Sequence, residues 1–207
     1  VTADVIEAAD RLRIIGRAGV GVDNVDVPAA TQRGVLVVNS PEGNTIAAAE
    51  HALAMLLSVS RHVPQAHGSM RSGAWDRKKY VGNELYKKVL GVVGLGKIGS
   101  HVARVAKAMG MDVIAFDPFI SAERAQQMQV RLTTLEALFQ QADYITLHIP
   151  RTPDTENLVN AELLRTMKST ARIVNCARGG IVDEPAIAEA IESGVIAGAG
   201  LDVFASE

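Results

Sequence analysis

From Val89 to the end of the chain, short aliphatic runs alternate with amphipathic stretches. The runs at 89–93, 112–116, 143–148, 171–175 and 198–203 are too short for helices and suit strands buried on both faces. Between them, 97–109, 121–128, 160–168 and 183–193 carry helical spacing, with a short helix near 134–140. Thr133 and Glu136 read as a capping box for that short helix. Asp183 can cap the helix whose first turn holds Pro185, and Gly194 closes it. Such alternation predicts an α/β fold, a doubly wound parallel sheet.

The first forty residues repeat the pattern on a smaller scale: helix, strand, helix, strand. Thr2 can cap the first helix, Pro28 suits the first turn of the second, and Arg13–Arg17 and Val35–Val38 are the strands. A turn, Gly19-Val20-Gly21, follows the first strand. Two strands make a poor free-standing sheet, so this segment reads as a fragment of a second α/β domain. From Thr45 to about Met70 the pattern is helical, with Pro64 expected to kink or end it. Ala, Leu and Met fill this helix on more than one face, which predicts burial in a core or a homodimer interface, the latter favoured.

Ligands of a doubly wound sheet sit at the carboxyl ends of its strands. Those ends carry Gly94–Gly99, Asp117, His148–Pro150, Asn175–Gly180 and Asp202, so all five clusters should line one edge. The first is a glycine-rich turn with the dinucleotide-binding spacing of a Rossmann unit. Gly94 permits a tight exit from the strand, Gly96 lets backbone approach a pyrophosphate, and Gly99 lets the helix pack closely. The N–H groups near Lys97 and Ile98 and the helix dipole would hold the phosphates. Asp117 follows Gly99 by 18 residues, about where a ribose-binding acid belongs. A carboxylate there accepts from ribose hydroxyls and repels a 2′-phosphate, and no arginine follows immediately, so NAD is favoured over NADP.

Composition narrows the partners. The chain has 207 residues, 48% apolar and 21% charged, with net charge −2. No general nucleic-acid or membrane surface is indicated, and Arg77-Lys78-Lys79 reads as a solvated loop. No apolar run reaches transmembrane length, and no signal-peptide pattern is present. Cys176 is the only cysteine, which suggests a reducing, cytoplasmic setting. No group has metal-ligand spacing. Arg178, between a strand end and two glycines, could hold a substrate carboxylate. His148 reads as a wall residue rather than a proton shuttle, and Asp202 could accept from a carboxamide. His51, His62, His67 and His101 lie on helical stretches without partners.

Taken together, residues 16–26 (GRAGVGVDNVD), 39–44 (NSPEGN), 94–99 (GLGKIG), 174–184 (VNCARGGIVDE) and 201–204 (LDVF) resemble the NAD-dependent D-isomer-specific 2-hydroxyacid dehydrogenases over essentially the whole chain. The resemblance implies a Rossmann-type NAD domain over 41–207, including the helix from about 45, and a partial, flavodoxin-like substrate domain over 1–40. It implies NAD contacts from Gly94, Gly96, Lys97, Ile98, Gly99, Asp117, His148, Pro150, Cys176, Ala177, Arg178 and Asp202. Val20 and Gly21 would hold a substrate carboxylate, while Arg17 and Asn44 would favour a phosphorylated substrate. Arg178 and Glu207 would be catalytic, the glutamate pairing in that family with a histidine further along. No histidine follows Glu207, so the chain is expected to be truncated at both ends and to bind NAD with little turnover. The implied reaction is NAD-linked oxidation of a phosphorylated 2-hydroxy acid, 3-phospho-D-glycerate. Alternatives are a sibling acting on glyoxylate or hydroxypyruvate, and an NAD-sensing corepressor-like binding protein.

Overall fold

The computed structural model describes residues 1–206; the expected catalytic residue Glu207 lies outside them. The chain divides into two compact units, Val1–Ala47 and Ala48–Glu207. This division falls seven residues beyond the one expected at 40 and leaves Asn44 in the first unit.

The first unit contains α1 (Ala3–Ala8), β1 (Ile14–Arg17), α2 (Val27–Gln32) and β2 (Leu36–Asn39). β1 and β2 pair in parallel, Ile14 opposite Leu36 and Arg17 opposite Asn39. The core is small: Ile6, Ala30 and Val35, flanked by Leu12, Ile15 and Val37. Ile14, Leu36 and Val38 stand exposed. Asp26 caps α2 through the Ala29 N–H, with Pro28 in the first turn. Thr2 occupies the N-cap of α1, but its hydroxyl makes no capping bond, against expectation.

α3 (Thr45–Arg61) begins in the first unit and runs into the second. It is followed by α4 (Val63–Arg71). The break is not at Pro64 but at His62, which takes a left-handed conformation (φ 54°). Pro64 sits in the first turn of α4, where its missing N–H costs nothing. α3 is not buried all round. It buries Ala49, Ala52, Leu53 and Leu56, while Leu57 remains exposed.

The second unit continues with β3 (Val89–Val93), α5 (Lys97–Ala108), β4 (Asp112–Phe116), α6 (Ala122–Gln127), β5 (Arg131–Leu132), α7 (Leu135–Gln141), β6 (Tyr144–Leu147), α8 (Ala161–Arg165), β7 (Arg172–Asn175), α9 (Glu184–Glu192) and β8 (Gly198–Leu201). Among the described residues these strands form a six-stranded sheet in the order β5-β4-β3-β6-β7-β8, every pair parallel. β5 was not expected. It has two residues, too few for periodicity, and exists because it pairs with Ile114 and Ala115 of β4. The cap of α7 also shifts by one: Thr134, not Thr133, accepts from the Ala137 N–H.

Successive strand residues enter opposite cores, as the pleat requires. Val93, Ile145 and Ile173 join one cluster with α7, α8 and α9, and Val92, Tyr144 and Val174 join another with α3 and α5. Both faces are covered, which explains the unbroken aliphatic runs. α5 buries Gly99, Val102, Ala103 and Ala106, a spacing that puts them on one helical face. Each fully buried Leu, Ile or Phe contributes about 1.5–3 kcal/mol.

Candidate functional site

Five strands of the sheet end in register. Val93 lies opposite both Phe116 and Leu147, Leu147 opposite Asn175, and Asn175 opposite Leu201. The next residue in each case is Gly94, Asp117, His148, Cys176 and Asp202, so these five stand along one edge. The strand order reverses between β3 and β6, where such sheets bind ligands.

At Gly94 the backbone has φ +92°, and a Cβ would lie 2.6 Å from the His148 carbonyl oxygen. Both facts require glycine. Gly99 meets the same loop from below: a Cβ would lie 1.9 Å from the Gly94 carbonyl oxygen. Gly96, the N-cap of α5, has no capping side chain, and a Cβ there would project into open space. The first turn of α5, Lys97 and Ile98, presents N–H groups with no intrahelical acceptor. This is a cradle for an anion that backbone, not side chain, must hold. Asp117 is fixed beside it: Oδ2 accepts from the Leu95 N–H (2.7 Å) and Oδ1 from the Phe119 N–H (2.9 Å). Each oxygen keeps a further acceptor site for a hydroxyl. The residues present therefore fit a dinucleotide with an unphosphorylated ribose.

On the other side of β3, Thr146 Oγ1 and His148 Nε2 lie 3.0 Å apart. Burial pushes the His148 pKa down to about 4, so the imidazole is neutral near pH 7. A neutral wall residue fits this better than a proton shuttle at that pH. Pro150 stands exposed, its carbonyl accepting from Thr155 Oγ1 at 2.7 Å. Buried Asn175 braces the next loop, donating to the Arg178 carbonyl (2.9 Å) and accepting from the Ala177 N–H (3.0 Å). Arg178 Nη1 donates to the Ala177 carbonyl (2.7 Å). A Cβ on Gly179 would lie 1.8 Å from the Phe204 carbonyl oxygen, so this loop and the segment after β8 are locked together. The Cys176 thiol is pushed up to about 12 by burial and then by the Asp202 charge, and stays protonated. His51 Nε2 on α3 lies 3.0 Å from Asp202 Oδ1.

In the first unit, the turn after β1 is held by Asn39 Nδ2, which donates to the Val20 carbonyl (2.8 Å), and by the Ser40 N–H on Gly19 (3.0 Å). Arg17 folds over this turn, with Nη1 donating to the Ala18 carbonyl (3.2 Å). Its Nε is buried without a hydrogen-bond partner, an orphaned cationic donor of the kind an anionic ligand satisfies. Gly21 is half-buried in the same turn, and Asn44 is exposed.

Residues 53–207 match the family described as D-isomer specific 2-hydroxyacid dehydrogenase, NAD binding domain. The chain belongs to this family. Its cofactor is NAD. The D-3-phosphoglycerate dehydrogenase of Synechocystis sp. is 65% identical over all 207 residues, which make up 37% of that protein. Among solved structures, a formate dehydrogenase from Granulicella M. superposes with TM-score 0.94 at 32% identity, covering all of this chain and 56% of that one. The D-lactate dehydrogenase of Aquifex aeolicus, solved with NAD and lactic acid, gives 0.90 at 31%, covering all of this chain and 62% of that one. The chain thus spans about two fifths of the length of the curated relatives it matches.

Within this dehydrogenase fold, the reading of the sequence missed the partner of His51 and the bracing role of Asn175, which it placed only at a strand end. Asn175 is the polar end of a buried strand and carries the bonds that shape the Arg178 loop; a polar residue closing an aliphatic run was the available signal. His51 gave no signal, because its partner Asp202 lies 151 residues away. Spacing in the sequence also suggested no ligand set, yet the fold gathers donor atoms of His51, Cys176 and Asp202 within 4.8 Å of one another.

Proposed function

We propose that the chain is the NAD-holding part of an enzyme that oxidises 3-phospho-D-glycerate to 3-phosphooxypyruvate, the first step of phosphorylated L-serine synthesis. The observation that carries this reading is the 65% identity, across the whole chain, to a D-3-phosphoglycerate dehydrogenase. The buried, unpartnered Nε of Arg17 supports a substrate with an anionic group.

When bound, NAD supplies the hydride acceptor. Backbone N–H groups of Gly96, Lys97 and Ile98 take the pyrophosphate, with Gly94 and Gly99 allowing the approach. Asp117 accepts from the ribose hydroxyls. His148, Pro150, Cys176 and Ala177 wall the nicotinamide side, and Asp202 accepts from the carboxamide. Arg178 holds a substrate carboxylate and polarises the neighbouring carbonyl. Glu207 is the second proposed catalytic residue. In the first unit, the Val20 and Gly21 N–H groups take a carboxylate, and Arg17 and Asn44 take the phosphate. The cofactor domain forms a homodimer through the outer face of α3 and α4, where Leu57, Val63 and Met70 are exposed. None of the described helices is long and apolar enough to cross a membrane, and the working compartment is the cytoplasm.

Ligand binding tests the substrate. 3-Phospho-D-glycerate should bind at least ~10-fold tighter than D-glycerate, a difference of about 1.4 kcal/mol, and Arg17→Ala should erase the difference. Equal binding of both acids would favour a sibling enzyme acting on glyoxylate or hydroxypyruvate. Sedimentation as a monomer at micromolar concentration would remove the dimer.

A further inference from the structure

His51, Cys176 and Asp202 bring an imidazole nitrogen, a sulfur and a carboxylate oxygen together from three separate elements: α3, the loop after β7 and the segment after β8. We propose that they form a site for a thiophilic divalent cation of the zinc class, and that the ion and NAD exclude one another.

The donor set selects the ion. Sulfur and imidazole suit a borderline-soft metal, whereas Mg²⁺ and Ca²⁺ require oxygen throughout. Tetrahedral zinc with bonds of about 2.0–2.3 Å places its ligand atoms roughly 3.3–3.7 Å apart. The His51–Asp202 edge is already 3.0 Å, and no edge exceeds 4.8 Å. Side-chain rotations of about an ångström would close the triangle. His51 and Asp202 are about half exposed (49% and 44%), which leaves a solvent-facing fourth position for water.

The protons and charges balance. The ion displaces the Cys176 thiol proton to solvent, the sulfur supplies a bonding pair, and His51 moves its ring proton from Nε2 to Nδ1 so that the Nε2 lone pair can ligate. Thiolate and carboxylate then cancel the charge of the ion beside a neutral imidazole. Asn175 holds the cysteine loop in place through Ala177 and Arg178, so little ordering is needed. The exclusion rests on the proposed placing of Cys176 and Asp202 at the nicotinamide side, since both cannot face the carboxamide and ligate an ion together.

Titration of the chain with Zn²⁺ by calorimetry, and with Co²⁺ by absorption, tests this without any assay of turnover. One Zn²⁺ should bind per chain with release of one proton, at a Kd in the range of ~1–10 μM, and Co²⁺ should give a thiolate-to-metal charge-transfer band. Cys176→Ser should abolish the band, and His51→Gln or Asp202→Asn, each removing a direct ligand, should weaken Zn²⁺ at least ~10-fold, about 1.4 kcal/mol. His67→Gln should change nothing. Saturating NAD should raise the apparent Kd of Zn²⁺ in proportion to its concentration. Absence of the band, or Zn²⁺ affinity that survives Cys176→Ser in a folded variant, would overturn the site. Normal NAD binding without metal binding sinks this inference alone, and metal binding without NAD binding sinks the cofactor assignment alone. Simultaneous binding of both would overturn the exclusion.

Discussion

On one side of the β3–β6 junction, the cradle and its carboxylate lie within the 24 residues from Gly94 to Asp117. On the other side, His51, His148, Cys176 and Asp202 arrive from four elements spread over most of the chain. The first half is set by local backbone: a positive φ at Gly94, an uncapped helix start at Gly96, and a carboxylate tied to the Leu95 and Phe119 N–H groups. The second half exists only once the sheet has formed, and loop-to-loop contacts hold it. A local unit with fixed spacing can be read from sequence. An assembled one shows only its separate pieces.

Close packing gives the largest expected effects on both sides. Gly99→Ala forces a Cβ into the Gly94 carbonyl, and should cost about 1–3 kcal/mol of stability and abolish detectable NAD binding. Gly179→Ala meets the Phe204 carbonyl equally closely. It should cost a similar amount in denaturant unfolding, yet leave the Gly94–Asp117 half intact. If Gly179→Ala removed adenosine-side binding as well, the two halves would not be separate.

Protonation sharpens the contrast. His148 has a folded pKa near 4 against an ordinary value of 6.5. The unfolded chain therefore binds the proton first, and stability falls as pH drops from about 6.5 towards 4, by roughly 2–3 kcal/mol over that window. Urea unfolding of His148→Asn should show this slope removed; an unchanged slope assigns it to other groups.

Asn175→Ala strips the Arg178 carbonyl and the Ala177 N–H of their partners, at about 1–3 kcal/mol. It should weaken NAD several-fold without changing the preference over NADP. Asp117→Asn should also weaken NAD, by about 1–2 kcal/mol, but should narrow the preference over NADP. The smallest effect serves as a control: Thr134→Ala uncaps α7, should cost about 1 kcal/mol, and should leave NAD affinity unchanged.

The legibility of the fold follows the same division. The long strands and α5 were visible because both sheet faces are covered and Val102, Ala103 and Ala106 repeat on one helical face. β5 was not, since two residues carry no period and pairing with β4 creates it. The α3–α4 break went to His62 rather than Pro64 because proline is at ease in a first turn. Arg178 could be picked out from its neighbouring glycines, whereas nothing in the sequence around His51 points to Asp202.

Calorimetric titration of this chain with NAD and with NADP tests the central claim most directly. The Asp117 geometry predicts NAD binding, with NADP at least ~10-fold weaker, about 1.4 kcal/mol. No NAD binding, or equal affinity for NADP, would contradict the assignment of the Gly94–Asp117 edge.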